Sequence, residues 1–382
     1  FNYFQMLDYN YNIILINTIK KKLKSIFKEI SYGIFKLIYG QIDKFEFKSE
    51  KLKVSISKFQ PDINYKVYHV EDSRIYTDTI HDTGVIHNNK ILQGPSFQIR
   101  NTKFHPIEEN TILYNGTPRL MKKLKGTVFS LLTGGAGNFN YWHWIFDVLP
   151  RLRILENSYN LDKIDYFLFP NLNQRFQKES LDLLNIPKEK RLSSIKCRHI
   201  KANSIISTDH PYVLKNDASN EIQNFPNWMH NWLRASFLDE KVMPDRTFPK
   251  KIYIDRGDAK SNHKEYRKII NEHEIISNLR IEGYQPIRLA ELSFTEQVKT
   301  FYNAEKIIGL HGAGFANLIF CRPKTQILEI KPSTDGKVIE NLAIKSNLKF
   351  KCVSKKPLRH NYYGNNGHLE VEFSEIRKAF DL

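Results

Sequence analysis

The stretch at residues 307–320, IIGLHGAGFANLIF, decides the architecture of this chain. An apolar run ends at Leu310, and His311, Gly312, Ala313 and Gly314 turn the chain into the helical stretch Ala316–Phe320. A short apolar run bounded by a glycine turn reads as a strand buried on both faces. The texture recurs on either side. Lys251–Ile254 and Ile327–Ile330 read as further strands, and a helix is predicted over Lys264–His273. Ser293 with Glu296 three residues later has capping-box spacing ahead of Val298 and Phe301. Strand and helix alternating at this pitch predict an open parallel sheet with helices on both faces.

Towards the N-terminus the texture changes. Residues 45–125 carry short alternating runs such as KVYHV and SRIYTD, split by Asn, Gly and Asp, which predict strands joined by hairpins. Residues 126–240 mix strand candidates (Gly126–Leu132, Tyr166–Phe169) with a helix over Tyr141–Leu155. The polar run at 236–250, with two prolines, reads as a linker. The opening FNYFQM reads as a tag remnant ahead of Met6. In residues 13–39, Ile19, Leu23, Ile26, Phe27, Ile30 and Ile34 form one helical stripe, with Lys20, Lys21, Lys24 and Lys28 away from it. Such a helix packs on the body or lies on an anionic membrane; packing is the expectation. The division expected is 1–44 (tag remnant and amphipathic helix), 45–240, 241–350 and a C-terminal extension at 351–382 packing back on the N-terminal domain.

The chain has 382 residues, 41% hydrophobic and 26% charged, which excludes wholesale disorder and a polytopic membrane protein. Lys plus Arg outnumber Asp plus Glu by 58 to 41, a net charge of +17 that favours anionic partners. Cys197, Cys321 and Cys352 are odd in number and widely spaced, giving neither a disulfide framework nor a zinc ligand set. With no secretory signal apparent, they suggest a cytoplasmic protein, peripheral on the inner face of the cell membrane if the helix binds lipid.

Three segments carry chemistry. Ligands of open parallel sheets bind beyond the carboxyl ends of the strands. After Leu310, glycines permit positive φ or close backbone approach, and helix-start amides suit a nucleotide or its diphosphate; a turn without ligand is the alternative. Neither GxGxxG nor GxxxxGK[ST] is present. In IYIDRGDAKSNHKEYRKIINE (252–272), Arg256 leaves a strand end, Lys260 and Ser261 lie in the loop, and Arg267 enters the next helix. Arginine forks suit phosphate, although a solvated face explains any one of them. In GNFNYWHWIFDVLPRL (137–152), His143 and Asp147 share a helical face. They suit a general base with its orienting carboxylate; Asp147 acting directly, or a purely structural pair, are the alternatives.

These blocks, with LSFTEQVKTFYNAEKIIGLHGAGFANLIF and the terminal ILEIKP, resemble glycosyltransferase family 61 over roughly residues 60–335, and a bacterial-type member is expected. The resemblance implies an α/β, GT-B-like fold of two Rossmann-like domains facing a cleft, and inversion at the sugar carbon without a bound metal. Its donor would be a nucleotide sugar, UDP-linked in the first instance, held mainly by the C-terminal domain; no other cofactor is implied. Carried over by position, Arg256 and Arg267 look like diphosphate-side residues, Gly312, Ala313 and Gly314 like the backbone cradle, and Glu329 like a nucleoside contact. Lys260, Ser261, His311 and Asn317 complete the donor side, and His143 and Asp147 face the acceptor. A serine commonly precedes the first arginine in the family; this chain has Asp255. The missing Asp-x-Asp fits a metal-free leaving-group site built from arginines and amides. The expected acceptor is a glycan or lipid-linked glycan in bacterial surface polysaccharide synthesis, such as capsule or lipopolysaccharide. A catalytically inactive protein of the same fold is the alternative. Nucleic acid is not expected, because the lysines are dispersed and C₂H₂ spacing is lacking.

Overall fold

The computed structural model describes residues 2–380 apart from 43, 47, 80–81, 101–102, 134–138, 239–246, 258–266 and 359–366. In the C-terminal half, short β-branched runs form the expected parallel sheet. Its strands are β1 (Lys251–Ile254), β2 (Gln285–Ile287), β3 (Lys306–Leu310), β4 (Gln326–Pro332) and β5 (Lys349–Lys355), in the order 2-1-3-4-5. Every neighbouring pair is parallel, with Ile252 opposite Ile307 and Ile307 opposite Ile327. Side chains alternate between faces. Ile252, Ile254, Ile307 and Ile327 enter the main core, while Tyr253, Ile308, Leu328 and Ile330 enter a second cluster behind the sheet. The helix Phe294–Asn303 starts at the predicted capping box, Ser293 Oγ accepting from Glu296 N at 3.1 Å and Glu296 accepting from Ser293 N at 2.6 Å.

Two expectations for this half need correction. Of the helix predicted over Lys264–His273, residues 264–266 lie outside the described residues, and over the rest helix begins only at Glu272 and runs to Ile281, because Ile269 bridges to Leu369 and Ile270 N donates to Leu369 O at 2.8 Å. That pairing holds the backbone extended just where local propensity favours a helix. Among its described residues the C-terminal extension packs on the C-terminal sheet and not on the N-terminal domain. It supplies β5, and its Leu369, Val371, Ile376 and Phe380 cover the outer face of the C-terminal sheet.

The N-terminal half is built on a twelve-stranded sheet, counted among the described residues. Its centre is the antiparallel pair Ile63–Thr77 and His199–Thr208. On one side lie the hairpin-connected strands Leu52–Phe59 and Asp82–His87, as the alternating texture predicted. On the other, Thr127–Ser130, Tyr166–Phe169 and Arg191–Ser193 run parallel. The sheet is therefore mixed and not the parallel Rossmann-like sheet implied for this half. Antiparallel neighbours need only tight turns, and among the described residues from 45 to 100 no helix intervenes; the one parallel strand pair there, Lys44–Glu46 with Lys90–Leu92, is three residues long.

One hydrophobic cluster runs through both halves. Phe129, Trp144, Phe146 and Leu152 from the first pack in it with Phe294, Phe301, Phe315 and Phe320 from the second. The helix Asn227–Phe237 bridges them: Phe237 lies 4.9 Å from Phe294, and Arg234 donates to the carbonyls of Ile319 and Cys321.

The N-terminal helix, Asn2–Tyr39, corrects the expectation of packing. Among its described side chains the apolar stripe is exposed, Phe27 to 74% and Leu37 to 89%, and the C-terminal end docks. There the Tyr39 ring meets His199 edge-on at 4.9 Å, and Tyr39 Oη accepts from Met121 N at 3.0 Å. No helix among the described residues is long and apolar enough to cross a membrane.

Candidate functional site

In the order 2-1-3-4-5 the chain reverses direction between β1 and β3, the switch point where open α/β sheets bind ligands. A pocket of about 240 Å³ opens there. The C-terminal half contributes Ile254, Asp255, Arg256, Leu289 and the turn from Gly312 to Phe315; the N-terminal half contributes Phe139, Asn140, Tyr141 and Phe176. Ligand pockets commonly measure roughly 300–1,000 Å³, so this one suits one moiety of a nucleotide sugar.

The glycine turn works by closeness. Gly312 has φ 169°, which is extended backbone open to any residue. A Cβ there would stand 3.0 Å from Cζ of Arg256, and one at Gly314 would stand 2.7 Å from Leu289. The Arg256 guanidinium thus lies against the bare turn, with Nη1 donating to His311 O at 2.6 Å. Asp255, which would be unfavourable near phosphate, accepts from Arg288 Nε at 2.9 Å and from Gly257 N at 2.7 Å, so its charge is already compensated.

Behind this wall sits an ion cluster. His311 Nδ1 is hydrogen-bonded to Glu329 Oε1, and its Nε2 lies 3.6 Å from Asp335 Oδ2. Arg267 Nη1 is 2.8 Å from the same Asp335 oxygen and donates to His311 O at 3.2 Å. The side chains of Glu329 and Asp335 are 1% and 2% exposed. Glu329 Oε1 is therefore the partner of His311, and the side chain lies behind the pocket lining. Asn317 is likewise occupied, accepting from Tyr141 Oη at 2.6 Å and donating to Gln297 Oε1 at 3.1 Å, which stitches the two halves together. Of the donor-side residues read from sequence, Arg256, Gly312, Ala313 and Gly314 line the pocket. Arg267, His311, Asn317 and Glu329 form the layer behind, and Lys260 and Ser261 lie outside the described residues.

The second constellation is on the helix that begins beside the pocket. Asn140 caps it, accepting from Trp142 N at 2.9 Å, and the helix widens to one π-type turn over Trp144–Val148, where Leu149 N donates to Trp144 O at 3.1 Å. Pro150, which has no N–H, follows at once. His143 Nδ1 meets Asp147 Oδ2 at 2.8 Å; the side chains are 27% and 3% exposed. Asp147 Oδ1 accepts from Tyr212 Oη at 2.8 Å. His210 Nδ1 accepts from Tyr212 N and Val213 N, at 3.4 and 3.1 Å, so its proton is on Nε2, 3.7 Å from Asp147 Oδ2. Burial disfavours the charged forms of both Asp147 and His143, but their mutual attraction outweighs it. Asp147 is held well below the carboxylate range and His143 is raised above 6.5. The arrangement keeps a proton on His143 Nδ1 and leaves Nε2 as the basic nitrogen.

Sequence reading missed Tyr212, His210 and Asp335. All three follow strand ends, in TDHPYV (208–213) and KPSTDG (331–336), so the strand-end rule applied to every strand finds them. Among the described residues, no group of three or more His, Cys, Asp or Glu is arranged to hold a metal ion.

The sequence profile of the family described as Glycosyltransferase 61 matches residues 141–328, which span the dyad, the switch point and the glycine turn. Over this stretch the chain is similar to that family. It is similar to the EGF domain-specific O-linked N-acetylglucosamine transferase of Rattus norvegicus, 31% identical over 84 residues. That match covers 21% of this chain and 16% of the relative. The protein of the same name from Drosophila melanogaster is 27% identical over 111 residues, 28% of this chain and 21% of the relative. The chain thus spans about a fifth or less of the length of these curated relatives. They are animal proteins, where a bacterial-type member was expected. They also overturn the cytoplasmic and inner-membrane placement. Their names tie them to EGF domains, which are disulfide-dense modules of the secretory route.

Proposed function

We propose that this protein is an inverting glycosyltransferase that moves a sugar from a nucleotide-sugar donor to a hydroxyl of a glycan or glycolipid without a metal ion. The observation that carries it is one pocket at the switch point, bordered by Arg256 and the bare glycine turn, next to a helix that presents His143 backed by Asp147. Residues 45–240 act as the acceptor side and 241–350 as the donor side of a GT-B-like cleft. His143 Nε2 accepts the proton of the acceptor hydroxyl as its oxygen bonds to the anomeric carbon. The bond from that carbon to the diphosphate breaks, and the leaving charge is taken up by Arg256 and the amides that open Ala313–Phe320. Asp147 fixes the tautomer, and Tyr212 and His210 hold Asp147.

UDP-N-acetylglucosamine is the first donor to test, because the relatives are named for transfer of that sugar. Binding should raise the melting midpoint by mass action, and GDP- and CMP-sugars provide the contrast. Transfer should persist after EDTA treatment. Loss of transfer that added Mg²⁺ or Mn²⁺ restores would overturn the metal-free reading. Absence of any donor-dependent shift would favour the inactive protein of the same fold.

A further inference from the structure

We propose that the pocket at the root of the N-terminal helix is a phosphate-binding site, separate from the pocket between the halves. It measures about 510 Å³ and lies between Asn2–Tyr39 and the N-terminal sheet. Lys24 and Lys28 border it from the helix, Arg119 and Arg198 from the body. Among the described residues none of these four cations forms an ion pair with a carboxylate. Among the described residues one carboxylate lines the rim, Asp78, which accepts from Asp82 N at 3.0 Å. Four cations against one carboxylate leave the concavity positive.

The arginines are anchored without being used up. Arg119 Nη1 donates to Pro118 O at 2.9 Å, and Arg198 Nη2 donates to Thr79 Oγ1 at 3.0 Å. Each guanidinium has five N–H donors in a planar fork, a geometry that matches phosphate oxygens. Cations are common on a chain of net charge +17, but here they converge unpaired on a hollow. Phe27 borders the same hollow, and Leu23, Ile30 and Ile34 continue the exposed apolar stripe from it. A phosphate head with an apolar tail therefore meets a charged pocket and a greasy helix face side by side. The shared chemistry is phosphate, supplied by a lipid headgroup or by a free phosphate compound.

The test uses the full chain carrying Arg256→Ala, so that the pocket between the halves does not contribute. Two probes are compared: inorganic pyrophosphate by calorimetry, and flotation with phosphatidylcholine vesicles with or without phosphatidic acid. Vesicles should carry the protein only when phosphatidic acid is present, and Arg119→Ala with Arg198→Ala should weaken that by about tenfold or more. Pyrophosphate binding that falls with the same pair, without flotation, identifies a free phosphate compound. Binding to neither probe overturns the site. So does binding that the arginine pair leaves unchanged, including flotation that responds only to Phe27→Glu. Circular dichroism checks that the variants fold. The donor-binding experiment reads the other pocket, so either reading can fail alone.

Discussion

Two histidines of this molecule, His143 and His311, set Nδ1 against a buried carboxylate, yet their second nitrogens meet opposite surroundings. Nε2 of His143 has no partner among the described residues, and the side chain is 27% exposed beside the start of its helix. Nε2 of His311 faces Asp335, and its carbonyl takes N–H groups from both Arg256 and Arg267. A carboxylate behind a histidine is thus no mark of catalysis by itself. The free nitrogen and what it can reach separate a base from a tie in an ion cluster.

The comparison breaks first at His143. His143→Ala should lower turnover by about 10²–10⁴-fold while nucleotide affinity and melting temperature stay near the parent values. Near-normal turnover at saturating acceptor would remove the base assignment. At the other histidine the expected loss is of stability. Asp335→Asn takes the carboxylate from the buried Arg267 cation, and breaking a buried pair costs about 3–5 kcal/mol, readable by urea denaturation. A variant of parental stability would show that the cluster does not hold the turn.

Arg256→Ala should weaken nucleoside diphosphate binding by about tenfold or more and bare nucleoside binding far less. Equal losses in calorimetry would sink the phosphate assignment. The pH profile sharpens the dyad. His143 must be unprotonated to act, and its pKa is raised, so turnover should rise with pH through a value above 6.5. Asp147→Asn should move that limb to lower pH. The sign for stability is the reverse. The His143 contribution is complete below its unfolded value near 6.5 and is lost as pH rises through the raised one. The Asp147 contribution is present above its unfolded value near 3.8 and is lost as pH falls through the depressed one. The smallest effect is expected at the seam between the halves. Tyr141→Phe leaves the Asn317 acceptor short of one hydrogen bond, about 1 kcal/mol of stability with little change in turnover.

Local pattern and steric rules are legible in the linear text. The strands Lys251–Ile254 and Lys306–Leu310, the Ser293–Glu296 cap, the bare glycine turn and the one-turn spacing of His143 from Asp147 all depend on neighbours within a few residues. Other features depend on contacts between distant segments. Ile269 lies extended because Leu369, one hundred residues on, pairs with it. Glu329 and Asn317 look like ligands in the linear text, but Glu329 Oε1 is taken by His311 and the Asn317 amide by Tyr141 and Gln297, which only folding brings near. The stripe from Ile19 to Ile34 reads the same whether it is covered or bare, and in the fold it is exposed. Periodicity records which residues share a side, whereas the partner on that side is set by contacts far away in the chain.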